Sequence, residues 1–143
     1  MILTLALLAG LGGGSDTFAV TAAKVVTCDA EGGTIDNAAV LVRDGRIAWI
    51  GPATELQLPE GAPLIDGGSG WLSPGLVDLH SHVGSWRSGD LNDSINPTNP
   101  GLRNWDVVHP GNPDLERGIA AGVTTTLFIP GSGSNMGGFG TLI

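Results

Sequence analysis

A strand that ends in two histidines constrains this chain more than any other stretch. Residues 73–82 read Ser-Pro-Gly-Leu-Val-Asp-Leu-His-Ser-His. Pro74-Gly75 punctuates the chain, and the branched apolar residues after it favour extended backbone. In a strand, side chains two apart share a face. Strict alternation therefore puts Asp78, His80 and His82 on one side and Val77, Leu79 and Ser81 on the other. Two imidazoles at that spacing on a rigid strand can converge on one metal ion, and a neutral imidazole nitrogen is a good ligand for zinc and similar divalent ions. Asp78, one step deeper, is a candidate to orient a ligand or hold a water. The same residues also fit a buried strand that happens to carry histidines.

The chain before this stretch reads as β-structure. Residues 18–27 are rich in branched side chains, Glu31-Gly32-Gly33 is a turn, and residues 38–43 and 46–50 are two further strands. Asp44-Gly45 between them is a strong hairpin signal, because both central residues of that turn take positive φ. Residues 53–56 suit one helical turn, residues 63–66 return as a strand, and Gly67 to Gly70 turn the chain into Trp71-Leu72. Trp49 and Trp71 are expected to serve packing. Cys28 is expected to be a small buried hydrophobe within a strand.

After His82 comes a long polar stretch, residues 83–113, broken by Pro97, Pro100, Pro110 and Pro113. Connections of this length without regular structure are usually functional, so substrate contact or lid duty is expected of it. His109 stands in this stretch beside Pro110, far from His82, and is not read as a ligand. Asn112-Pro113-Asp114 then marks a helix start: Asn112 can cap, proline fits the first helical position, and Asp114 and Glu116 complement the positive end of the dipole. Leu115, Ile119 and Ala120 give the apolar stripe, and Gly122 ends the helix. Residues 123–129 are apolar and β-branched throughout, as a buried parallel strand requires. Strand, loop, helix and strand make a βαβ unit. The following glycine-rich segment, residues 130–140, has neither the Gly-Lys-Ser/Thr ending of a phosphate loop nor the spacing of a dinucleotide loop. It is expected to be a flexible loop over the site.

Residues 74–82 resemble the first barrel strand of the amidohydrolase superfamily, of the imidazolonepropionase-like and dihydroorotase-like kind. Residues 18–66 resemble that family's small N-terminal β-domain, residues 45–51 (Gly-Arg-Ile-Ala-Trp-Ile-Gly) its hairpin, and residues 121–125 (Ala-Gly-Val-Thr-Thr) its second barrel strand. The resemblance implies an α/β protein: a small N-terminal β-sandwich-like domain, then the start of a (β/α)8 TIM barrel. Such a barrel takes about 250 residues, so the 143-residue chain is expected to be a truncated, amino-terminal part. The implied division is a signal segment at 1–17, a β-domain at 18–72, and the first βαβ part of the barrel at 73–143. His80 and His82 are the implied metal ligands, with Asp78 behind them. The implied cofactor is a divalent metal, most readily zinc, as one or two ions in the complete enzyme. The remaining ligands and the general base of the family are not in this chain. The implied reaction is hydrolysis of a carbon–nitrogen bond in a small-molecule or peptide-like substrate. The alternative is a non-catalytic chain with a structural or binding role.

Composition narrows the classes further. Net charge is −8, with six basic residues spread along the chain, so no nucleic-acid surface is expected. One cysteine excludes an internal disulfide and a cysteine-based zinc cluster. The apolar run at 2–11 is too short to span a bilayer, which needs about 20 residues. It matches the core of a secretory signal followed by Gly12-Gly13-Gly14-Ser15, though without a basic start. Export to the periplasm or beyond is the expectation, with the cytoplasm as the alternative. Oligomeric state is not legible.

Overall fold

The structure is a computed structural model that describes residues 17–87 and 89–143. The apolar run at 2–11, and with it the expected signal segment up to residue 16, lies outside the described residues. The chain divides into two compact units that meet at Pro74 and Gly75.

The first unit is built on β1 (Thr17–Val26), β2 (Thr34–Arg43), β3 (Arg46–Pro52), β4 (Leu64–Asp66) and β5 (Trp71–Leu72). These make one five-stranded mixed sheet rather than the expected sandwich-like arrangement. β1 is its axis. β2 lies antiparallel along the whole of it, from Thr17 opposite Arg43 to Val26 opposite Thr34. The other edge of β1 is shared by two short parallel strands, β4 at Ala19 to Thr21 and β5 at Lys24 and Val25. Ala22, Val25, Ala38, Val40 and Val42 form the core cluster, with Phe18, Ile35, Ile50 and Leu72 closing on it.

The hairpin between β2 and β3 follows from its turn. Asp44 and Gly45 sit at φ +51° and +71°, as a two-residue turn of matching twist requires. A 3₁₀ turn spans Ala53–Glu55.

Cys28 departs from its expected place. It is exposed, past the end of β1, with φ at +51°. The reason is the connection to β2. Thr27 Oγ1 donates to the carbonyl of Gly33 at 2.9 Å, and Asp29 Oδ1 accepts from the Glu31 amide at 3.1 Å. The chain therefore reverses from residue 27 onwards, one step before the cysteine. Trp49 is half-buried and lies against Gly51. Trp71 is 55% exposed and so does not pack in the core. Instead the Lys24 ammonium lies 5.2 Å from its ring centroid and pairs with Asp36 at 2.7 Å, a cation–π contact at the sheet surface.

The second unit contains β6 (Leu76–Ser81), a 3₁₀ turn at Asn104–Val107, α1 (Pro113–Ala120), β7 (Val123–Phe128) and β8 (Thr141–Leu142). β6 and β7 pair in parallel with α1 between them, the βαβ connection read in the sequence. β8 covers the other edge of β7 antiparallel, Phe128 opposite Thr141. The helix starts where its cap stands. Asn112 Oδ1 accepts from the Asp114 amide at 2.8 Å, Pro113 takes the first position, and Gly122 follows the end at φ +96°. β7 is not buried throughout. Thr126 and Phe128 are buried while Thr124 is exposed, so the strand alternates, with the Phe128 ring packed onto Gly84.

Candidate metal-binding site

His80 is the fifth residue of β6, and His82 follows directly after its end. Their rings stand edge to face with centroids 5.4 Å apart, so the strand does bring the two imidazoles side by side. His80 is exposed and His82 half-buried.

Alternation fails one step further in. The register between β6 and β7 shifts between Asp78 and Ser81, where Asp78 faces Thr126 and Ser81 faces Phe128. One extra residue on β6 makes a bulge, which re-aims the side chains beyond it. As a result Asp78 and Ser81, expected on opposite faces, both line a cavity of about 410 Å³ with Leu115, Ile119, Val123 and Thr126. Asp78 does not orient an imidazole ring. Its Oδ1 accepts from the backbone amide of His80 at 3.1 Å, which fixes the main chain that carries the first histidine.

His82 is held by the element beside it. Its Nδ1 lies 3.2 Å from the carbonyl of Ile129, just past β7. A carbonyl oxygen can only accept, so Nδ1 carries the proton in this contact. A backbone carbonyl at one ring nitrogen fixes the orientation of the imidazole, as it does for histidines that ligate metals. Nε2 points toward Asp90 Oδ1 at 3.4 Å, and Asp90 Oδ2 accepts from Ser132 Oγ at 3.4 Å. The Ile129 amide donates to the Ser81 carbonyl at 2.9 Å, and the Gly89 amide to the His82 carbonyl at 3.1 Å. Asp90 and Ser132 were not singled out from the sequence as site residues. Only the fold brings them to His82, from 8 and 50 positions away in sequence.

His109 is occupied elsewhere. Its ring centroid lies 4.3 Å from that of Trp86, and its amide donates to the Gly84 carbonyl at 2.7 Å. Among the described residues, no three His, Cys, Asp or Glu side chains stand together so as to hold an ion. The site as described offers two imidazoles, with one carboxylate beside the second.

The glycine-rich segment is not the loose loop its composition suggests. Met136 donates to the Pro97 carbonyl at 3.0 Å and accepts from the Asn99 amide at 2.8 Å; Phe139 donates to the Leu102 carbonyl at 2.8 Å and accepts from the Asn104 amide at 2.9 Å. Both segments are tied together at the same end of the parallel strands as the histidines.

A parallel βαβ unit with paired histidines at the end of its first strand defines a class. The chain is similar to proteins of the amidohydrolase superfamily. At 30% identity it superposes on the crystal structure of an amidohydrolase from Thermotoga maritima MSB8 with a TM-score of 0.76, over 88% of this chain and 33% of that one. Its particular likeness is to imidazolonepropionases. The family model of the bacterial imidazolonepropionase-like composite domain matches residues 38–57, the β2–β3 hairpin. The chain is 45% identical over 74 residues to the imidazolonepropionase of Acidiphilium cryptum (strain JF-5), covering 48% of this chain and 18% of that protein. It is 47% identical over 53 residues to the imidazolonepropionase of Shewanella sp. (strain ANA-3), covering 36% and 13%. The chain thus spans less than a fifth of the length of these curated relatives. No helix among the described residues is long and apolar enough to cross a membrane.

Proposed function

We propose that this chain carries the first metal ligands of a hydrolase that cleaves carbon–nitrogen bonds. In this reading residues 18–72 are the small β-domain, and β6, α1 and β7 are the first βαβ part of a (β/α)8 barrel within residues 73–143. The observation that carries it is the pair of imidazoles at the end of β6, their centroids 5.4 Å apart, with the His82 ring held by the Ile129 carbonyl at 3.2 Å from Nδ1.

The residues fit part of a zinc site. Two neutral imidazoles suit zinc, and a catalytic zinc takes about three protein ligands with one position left open. The others would come from the further length that the relatives have. A divalent ion held there supplies a polarising charge for a carbonyl and a water of lowered pKa. Within this chain, the Asp78 carboxylate fixes the backbone at His80, and the Ile129 carbonyl fixes the orientation of the His82 ring. The Asp90 carboxylate places a negative charge at the ligating nitrogen, and the two loops wall one side of the site. The substrate is a small molecule or peptide-like amide, cyclic amides included. The run at 2–11 supports export.

A structural or binding role without catalysis is the second reading. It is favoured by the lack of a third close ligand among the described residues. The experiment measures bound metal per chain and amide hydrolysis in the full-length protein carrying His80→Ala or His82→Ala. Loss of metal together with loss of turnover supports the hydrolase. Full metal and full activity in both variants makes the histidines core residues and removes the main support for the assignment.

A further inference from the structure

Two loops leave the ends of β6 and β7, and their backbone groups are spent on each other. Met136 and Phe139 each both donate and accept across the gap, to Pro97 and from Asn99, and to Leu102 and from Asn104. Each exchange has the pattern of a β-bridge, at Thr98 with Met136 and at Arg103 with Phe139. Nearer the strands, the Gly131 amide donates to the Leu91 carbonyl at 2.9 Å. The Gly133 amide donates to Asn92 Oδ1 at 2.7 Å, and the Asp93 amide to Ser134 Oγ at 3.2 Å.

Bonds so interleaved cannot open one loop at a time. Swinging residues 131–140 away strands the amides of Asp93, Asn99 and Asn104; swinging residues 91–104 away strands those of Gly131, Gly133, Met136 and Phe139. We propose that these two segments are one clasped wall, which opens and closes beside His82 as a single body, and that Gly138 is its linchpin. There is no room for a side chain there. A Cβ on Gly138 would lie 2.2 Å from the Leu102 carbonyl oxygen, and its φ is +91°. Any side chain would force apart the Phe139–Leu102 exchange beside it. The clasp also reaches the site, because Asp90 and Ile129 stand at its roots and both touch His82.

The test is amide hydrogen exchange on the full chain, which reads opening directly. In the unmodified protein the amides of Asn99, Asn104, Met136 and Phe139 should show one common protection factor. In Gly138→Ala all four should lose protection together, by about fivefold, the equivalent of one net hydrogen bond lost, while the amides of β2 stay as they were. Gly101→Ala, in the same loop where a Cβ meets nothing closer than 4.0 Å, should leave all four unchanged. Should Gly138→Ala unfold the unit, Ser134→Ala, which removes only the acceptor for Asp93, serves in its place and should speed the four amides by a smaller common factor. Acceleration of one loop while the other keeps its protection overturns the proposal, as does an unchanged rate in all four. None of these outcomes depends on metal or activity, so the clasp and the hydrolase reading stand or fall separately.

Discussion

Asn112 holds two parts of the second unit with one side chain, and its removal should cost more than a helix cap alone. Its Oδ1 accepts from the Asp114 amide at 2.8 Å and its Nδ2 donates to the Ser85 carbonyl at 2.8 Å. The residue is 2% exposed, so water cannot replace either bond. Asn112→Ala removes the cap, worth about 1 kcal/mol. It also leaves the Ser85 carbonyl without that donor in a buried place, which costs about 1–3 kcal/mol. The expected loss is therefore about 2–4 kcal/mol. Asn112→Ser keeps a capping oxygen but cannot reach Ser85, so it should lose only the second part. Denaturant unfolding followed by circular dichroism gives both differences. The reasoning is refuted if Asn112→Ala costs less than about 0.5 kcal/mol, the range of an ordinary surface change, or if the alanine and serine variants are indistinguishable.

Three further outcomes are expected. Gly45→Ala, at φ +71°, should destabilise the first unit by about 1 kcal/mol in thermal melts, whereas Gly45→Asn should be better tolerated. Asp93 has its carboxyl held below the usual carboxylate range by the Asn96 amide, then the Asn99 side chain and the Ile95 amide. A folded pKa below the unfolded one stabilises above the unfolded value and is lost as pH falls through the folded value. Exchange protection at the Ile95 and Asn96 amides should therefore drop as pH falls through the lowered range of this carboxyl, and Asp93→Asn should remove that dependence. β6 is an edge strand with Leu76, Val77 and Leu79 exposed, so the chain should self-associate, as such edges do. Leu79→Lys should shift sedimentation toward the monomer, and a monodisperse unmodified monomer would refute this.

What could be read from the sequence was what is decided locally. Asp44-Gly45 sets its own turn, Asn112-Pro113 its own helix start, and the spacing of His80 and His82 brings their rings side by side. What could not be read depends on distant partners. The bulge that moves Asp78 off the histidine face arises from pairing with β7 more than 40 residues later. The glycine segment looked loose because its composition is loose, yet its amides are taken by carbonyls of residues 91–102. Cys28 and Trp71 were assigned to the core by residue type, but the first lies past the last paired residue of β1 and the second on a two-residue strand with Lys24 across it. Asp90 and Ser132 carry no motif at all and become part of the site only through the fold.

The place of β1 in its sheet has a consequence for the order in which the protein is made. β1 is paired along one edge by β2, which follows at once, and along the other by β4 and β5, which are distant in the chain. A hairpin forms in about 1–10 μs, whereas a ribosome adds about 5–20 residues per second. The β1–β2–β3 meander can therefore be complete for a second or more before Leu64 to Leu72 have emerged. During that interval the second edge of β1 is open, with Ala19 to Val25 presenting unpaired backbone to any extended segment nearby. The parallel strands then arrive as late sealants of an edge that translation leaves bare, and a pause in synthesis between residues 52 and 64 would lengthen that exposure.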